Sequence, residues 1–402
     1  MRIVTFGPNP YLLTANGKLH SWIIKKFHEE GHQLASIVHS YDTSFFVPEE
    51  KNGHTFFCYQ YKDQKIPVFP YKKSNENQES ESVQIFELLE KLQPDLVISV
   101  DNYEKTSLMQ AVKMFLPDKF KWLAILLNDS LPINEQERSV VEYADAILCT
   151  NQFTYNHIKE FYDHPYMDWK YVGVDLSVFS FQEKSNSFRL FGAPKNTFKD
   201  CPATMIEACK RVSENIPLKL NLHINSDPGF YNLNILQERF DPESSFLELP
   251  DRYVSIQDGY SDKEFNQSLS HCSAFLSTSA TSATSMGVFE ALAAGCLPIV
   301  CDQGSDSEII KLLQESLKNN INFIYSSLPL LMGGEKYIYI PVSKGLENKI
   351  KEINEIIQNK DRYGEILKGI LKFIKGFDNT NFLNKVNELI ETTMNSEKIL
   401  AV

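Results

Sequence analysis

Short apolar runs alternate with amphipathic stretches along most of this chain. Arg2 to Phe6 is apolar-rich and enters the Pro, Gly and Asn loop GPNPYLLTANG. Leu19, Trp22, Ile23 and Phe27 then recur at helical spacing on one face, and Gly31 is placed to end that helix. Leu34 to Val38 is apolar-rich again, so the chain opens as strand, helix, strand, the start of a doubly wound domain. Asp95 to Val100, Trp122 to Leu127 and Ala146 to Cys149 read as strands of a parallel sheet covered on both faces, because their apolar runs are continuous rather than alternating. Helical segments are expected around Thr106 to Phe115 and Glu135 to Tyr143, and a polar loop over 71 to 82.

The pattern then repeats. Gln182 to Ser187 is polar and without period, which predicts a linker. A second set of apolar runs follows at 188–191, 218–224, 253–257, 274–277, 297–301 and 323–325, and from Leu346 onward the pattern is wholly helical. At 402 residues the chain exceeds what one hydrophobic core usually serves. The expected architecture is α/β, with two Rossmann-like doubly wound parallel-sheet domains over 1–181 and 182–378 and a C-terminal helix over 379–402.

Composition narrows the chemistry. The 43% hydrophobic and 23% charged residues are ordinary for a globular protein, and no apolar run approaches the roughly 18 residues of a membrane span. The opening MRIVTFGPNP has no basic stretch leading into an apolar segment, so a cytoplasmic protein is expected, with peripheral membrane contact at most. The seven cysteines are scattered without metal-ligand spacing, which suits buried thiols in a reducing compartment. A net charge of −12 disfavours a surface that embraces nucleic acid as a whole. A local basic groove could draw on Lys25 and Lys26, on Lys72 and Lys73, or on Lys113, Lys119 and Lys121 interleaved with Phe115, Phe120 and Trp122. His28-Glu-Glu-Gly-His32 matches H-E-x-x-H in letters, but Gly31 should end the helix before His32, so the two rings would not share a face. No Asp-x-Asp is present to hold a metal, and no G-x-G-x-x-G follows the first strand.

The most informative stretch is TSMGVFEALAAGCLPIVCDQGSDSE, Thr284 to Glu308. It predicts a turn, a short helix led by Gly287 with Glu290 in its first turn, a stop at Gly295, a buried strand from Leu297 to Cys301, and a loop opening a helix at Ser307. A carboxylate beside free N–H groups at a helix start suits a ligand with both hydroxyls and phosphates, as in a nucleotide sugar. The order of residues resembles the donor-site signature of the family-4 retaining glycosyltransferases of the GT-B fold. That resemblance implies two Rossmann-like domains facing a central cleft, and a retaining, metal-independent transfer from a nucleotide sugar, a UDP-sugar first of all, to an acceptor hydroxyl. The acceptor implied is a glycan or lipid-linked sugar. No cofactor is implied beyond that co-substrate, and no protein nucleophile, because the leaving diphosphate helps to deprotonate the acceptor.

Carried onto this chain, the resemblance gives Glu290 to the donor ribose and the backbone of Ser285, Met286 and Gly287 to the sugar and distal phosphate. Lys195 and Lys199, in the segment after the first strand of the second domain, would meet the leaving diphosphate, although the family's Gly-Arg pair is Gly192-Ala193 here. Gly17 lies in the loop after strand one, where backbone approaches phosphate, and Asp101 ends a first-domain strand. Tyr171 to Phe179 resembles the Gly-Val-Asp turn that closes the family's first domain. Two positions depart from the pattern. Ser282 stands where a second glutamate grips the sugar hydroxyls, and Asn128 where a histidine meets the donor sugar. An amide can still bond a hydroxyl, and the hydroxyls of STSATSATS, 277–285, could replace a carboxylate. The departures imply a pocket one negative charge poorer, suited to a donor smaller than glucose or bearing an N-acetyl, deoxy or pentose pattern. The alternatives are a phage-type transferase acting on a modified DNA base, a nucleotide-sugar epimerase, and a non-catalytic nucleotide-sugar-binding protein or partner subunit.

Overall fold

A computed structural model describes residues 1–39, 46–51, 54–71, 80–128, 133, 135–185, 187–225, 229–251, 260–279, 281–318, 321–332 and 336–400. Lys72, Lys73 and the strand expected at Tyr253 to Gln257 lie outside these residues. The chain divides into two compact units. One holds the described residues of Met1–Asn128 and Ile133–Tyr171 together with the last helix from Phe382, and the other holds Val172–Asn381.

The first unit runs β1 (Arg2–Pro8), α1 (Ala15–Glu29), β2 (Gln33–His39), β3 (Val47–Lys51), β4 (His54–Tyr61), β5 (Gln64–Tyr71), α2 (Glu81–Leu92), β6 (Leu96–Asp101), α3 (Tyr103–Phe115), β7 (Lys121–Leu126), α4 (Glu135–Tyr143), β8 (Ala146–Cys149), α5 (Gln152–Lys159) and β9 (Met167–Trp169). Among the described residues these strands form one sheet in the order β3-β4-β5-β2-β1-β6-β7-β8-β9. The chain leaves β1 to one side and returns at β6 on the other, so strand order reverses beside β1. All pairs from β5 through β9 are parallel. The wholly parallel sheet expected from the sequence needs one correction, since β4 runs antiparallel to both β3 and β5. β6 and β8 are buried at every position, which is why they read as continuous apolar runs. α1 ends where expected: Glu30 caps it, and Gly31 takes φ of +79°.

The second unit runs β10 (Arg189–Gly192), α6 (Pro202–Ser213), β11 (Lys219–Leu222), α7 (Leu233–Phe240), β12 (Leu247–Glu248), α8 (Asp262–Ser270), β13 (Ala274–Ser277), α9 (Met286–Ala293), β14 (Leu297–Cys301), α10 (Gly304–Leu317), β15 (Ile324–Tyr325), the hairpin β16 (Ser327–Met332) and β17 (Lys336–Pro341), α11 (Ser343–Gln358) and α12 (Lys360–Ile374). A 3-10 turn, Lys375–Phe377, leads into α13 (Asn379–Leu400). Its main sheet is parallel, in the order β12-β11-β10-β13-β14-β15, and here strand order reverses between β10 and β13. Asp241, only 1% exposed, anchors β12 by accepting bonds from the N–H groups of Ser245, Phe246 and Leu247 and from the Ser245 hydroxyl. Burial alone would raise its pKa, but these donors together hold it below the usual carboxylate value. No helix among the described residues is long and apolar enough to cross a membrane.

Candidate functional site

In open α/β sheets ligands lie outside the carboxyl ends of the strands, where strand order reverses. In the second unit that point is set by three loops: residues 193–201 after β10, 278–285 after β13, and 302–303 after β14. They are tied to one another. Thr278 Oγ1 donates to the Asp200 carbonyl at 2.7 Å, and Gln303 Nε2 to the Ser279 carbonyl at 2.8 Å. Asp306, in the first turn of α10 and 6% exposed, accepts from Ser277 at 2.8 Å and from Ser282 at 2.6 Å. Ser285 and Ser305 share a hydroxyl contact of 2.6 Å, and Ser305 also donates to the Ser282 carbonyl. Gly304 sits where these strands of chain cross: φ is +60°, and a Cβ there would lie 3.2 Å from the Ser282 backbone.

Two helices that start at this edge begin from residues in the left-handed region. Ser285 caps α9 with φ of 51°, and Cys201 caps α6 with φ of 47°, and neither side chain bonds its helix. A non-glycine residue held there costs about 1 kcal/mol and persists where the surroundings over-determine it. Ser285 gives no side-chain cap, so the first N–H groups of α9, at Met286, Gly287 and Val288, have neither that acceptor nor an intrahelical one and stand at the positive end of the helix. Glu290 follows on the same helix and is only 4% exposed. Lys195 and Lys199 are exposed on the loop after β10.

In the first unit the corresponding edge holds Asp101 at the end of β6 and Asn128 beyond the end of β7, both buried. Asp101 binds His39 Nε2 through one oxygen at 2.6 Å, and its other oxygen accepts from the Asn102 N–H at 2.8 Å. Asn128 accepts at its carbonyl from Asn151 Nδ2. His20, wholly buried beneath this edge, meets the Pro8 carbonyl through Nδ1 at 2.6 Å and Thr5 Oγ1 through Nε2 at 2.9 Å. A carbonyl can only accept, so Nδ1 carries the proton. Burial pushes the pKa of His20 down to about 4, so it is neutral.

Sucrose-phosphate synthase from Thermosynechococcus elongatus superposes with a TM-score of 0.70 at 12% identity, covering 100% of this chain and 99% of that one. The Anabaena protein HepE in complex with UDP gives 0.65 at 12% identity over 98% and 100%. The pneumococcal O-GlcNAc transferase GtfA in complex with UDP and GlcNAc gives 0.64 at 11% over 98% and 99%. The chain has the GT-B fold. No family model matches it, and no curated protein matches it by sequence. At these identities the likeness carries the GT-B fold alone.

Several sequence expectations are placed and some corrected by the geometry. Ser282, Ser285, Met286, Gly287 and Glu290 come together with Lys195 and Lys199 on loops of one sheet edge, while Asp101, Asn128 and Gly17 belong to the other unit. Glu290 is not in the first turn, because α9 begins at Met286 and Glu290 is its fifth residue. The helix dipole fades within one turn, so dipole stabilisation does not account for a carboxylate buried there. The hydroxyl of Ser282 is not an open donor toward a ligand, since it bonds Asp306. The Asp306 carboxylate lies 2.6 Å from the Ser282 oxygen and places a negative charge beside that position. Gly17 lies in the first turn of α1 rather than in a loop. Its N–H bonds the Thr14 hydroxyl, and a Cβ would meet the Leu12 carbonyl at 2.5 Å, so close packing explains the glycine. The basic set around Lys113 is divided, for Lys119 and Phe115 are exposed while Lys113 and Trp122 are not. Lys113 is 6% exposed, pairs with Asp145 at 2.8 Å and donates to the Phe120 carbonyl, while Trp122 is wholly buried with Nε1 on Ser99.

Sequence reasoning missed His39, whose partner lies sixty-two residues away. It also missed Asn196, buried between the two lysines. Its amide donates to the Tyr231 carbonyl and accepts from the Tyr231 N–H, both at 2.9 Å, fixing the loop that carries them. The seven cysteines are all buried free thiols, and burial pushes Cys201 up to about 11 and Cys301 to about 12.

Proposed function

We propose that this chain is a glycosyltransferase that moves a sugar from a UDP-sugar to an acceptor hydroxyl. The observation that carries the reading is Glu290, a carboxylate 4% exposed behind the uncapped N-terminus of α9, at the point where strand order reverses in the second unit. A diphosphate suits the Met286 to Val288 N–H groups, which supply donors and the positive end of the helix dipole together. A ribose suits Glu290, because a buried carboxylate gains from paired hydroxyl donors. HepE and GtfA, which share the fold, bind UDP in their solved complexes, and this supports a uridine nucleotide here.

Lys195 and Lys199 would stabilise charge as it grows on the leaving diphosphate, the moment at which preplaced cations count most. Retention of the anomeric configuration without a metal is the course that the resemblance in Thr284 to Glu308 supports. A glycan or lipid-linked sugar is the acceptor class proposed. Lys113 and Trp122, two of the residues that favoured a DNA acceptor, are buried, which supports a glycan over DNA.

Calorimetric titration with UDP tests the assignment. Glu290→Gln should weaken binding of UDP and of UDP-glucose alike, by ~1–3 kcal/mol for a lost charged hydrogen bond. Lys195→Ala with Lys199→Ala should lower turnover more than affinity. An unchanged UDP affinity in Glu290→Gln would remove Glu290 from the site.

A further inference from the structure

α2 and α3 pack against each other in the first unit, and at their C-terminal ends a projecting ring stands beside a cavity. The ring is Phe115, the last residue of α3 and 77% exposed. Phe86 of α2 meets it edge-on, with ring centroids 6.4 Å apart, so Phe115 is braced in its outward position. Met114 beside it and Val83, one turn before Phe86, are exposed as well. Single apolar side chains on a surface need no explanation, but three gathered about one ring pair mark a contact surface.

The cavity has a volume of about 390 Å³ and lies at the amino ends of β1 and β6, the edge opposite the polar end of this sheet. It begins one helical turn beyond Phe86, at Glu90. Leu89, Leu116 and Phe120 line it and are all buried. Phe115 is held on Phe86 and takes no part in this lining, so the ring does not fill the cavity of its own chain. A void of ~150 Å³ already holds a benzene ring. This one therefore has room for a phenylalanine side chain and part of a neighbour.

Around the mouth stand Arg2, Glu90, Asp95 and Lys119. These two bases and two acids cancel, although the chain as a whole carries −12. Arg2 and Asp95 already neutralise each other, the Arg2 N–H donating to that carboxylate at 2.7 Å and the guanidinium at 3.4 Å. A nucleic acid or an anionic membrane would require a net positive face. A neutral one lets two copies of a strongly acidic chain meet without opposing like-signed patches.

We propose that this face joins two copies of the chain in a twofold dimer, each Phe115 seated in the cavity of the other copy. Knob and cavity share one face, as an isologous contact requires. An axis passing between them brings each onto its complement, and the assembly closes at two. The apolar lining and the projecting ring match in chemistry, so a second copy supplies the complement that the cavity lacks. Dimer formation is independent of the transferase reading.

Sedimentation velocity of the full chain, over concentrations reaching ~0.1 mM, tests the contact. The wild type should move from the mass of one chain, 46.2 kDa, toward twice that value as concentration rises. Phe115→Asp should weaken association by roughly 30-fold or more, the mark of a lost aromatic anchor. Glu90→Trp leaves Phe115 in place but sets a large ring at the cavity mouth, and it should weaken association as strongly. Both positions are exposed, so neither change disturbs the core. A wild type that stays at 46.2 kDa throughout would overturn the dimer, as would a dimer that either variant leaves intact. Assemblies that grow past two copies would reveal an open, head-to-tail contact and overturn the twofold one.

Discussion

At the scale of single residues, burial and hydrogen bonding decide which charges this protein keeps. His20 is the clearest case, because burial lowers its pKa from 6.5 to about 4. Between those values the unfolded chain binds a proton that the folded chain refuses, so stability falls as pH falls. The contribution of neutral His20 is complete above pH 6.5 and is lost toward pH 4. Between pH 7 and pH 5 the wild type should lose about 2 kcal/mol more unfolding free energy than His20→Gln. Urea unfolding at the two pH values checks it, and parallel losses would contradict it. The letters of the chain gave Glu290 its place through the motif around it, but not its burial. They gave no sign of His39, since the feature that marks it is Asp101 across the end of β1, and no local pattern connects strands so far apart in sequence.

At the scale of elements, the parallel strands were legible because both faces are covered and their runs are continuously apolar, as in β6, β8 and β14. The extension β3 to β5 and the hairpin β16–β17 were not legible. β5 mixes buried and open positions, and Leu328 and Leu330 in the hairpin are exposed, so neither follows the fully buried pattern. The start of α9 was misplaced by one residue because Ser285 adopts a left-handed conformation that serine seldom takes and that no sequence rule marks. The Ser/Thr run after β13 is held through Asp306 and its bonds to Ser277 and Ser282. Asp306→Ala should destabilise the protein by ~1–3 kcal/mol through two hydroxyls left without their acceptor. It should also speed hydrogen exchange across residues 281–285. Unchanged exchange there would show that Asp306 does not hold the loop.

At the scale of the whole molecule, each unit reverses its strand order at one point and gathers its polar residues at the carboxyl ends beside it. In the second unit these are helix starts, a buried carboxylate and exposed lysines, and in the first a buried carboxylate with an accessible imidazole. Two doubly wound domains were readable from the alternation of runs and the GT-B fold from the resemblance in Thr284 to Glu308, and superposition onto proteins only 11% and 12% identical supports the same plan. The chemistry was readable only in the one segment where residue order and spacing are both constrained. The most direct test of the account is the release of UDP from a panel of UDP-sugars by the wild-type chain, followed alongside Glu290→Gln. The account predicts steady UDP release from at least one of them, with catalytic efficiency lowered about 10-fold or more in the variant, as ~1.4 kcal/mol of lost binding requires. UDP-sugars left intact, or a Glu290→Gln rate equal to wild type, would contradict it.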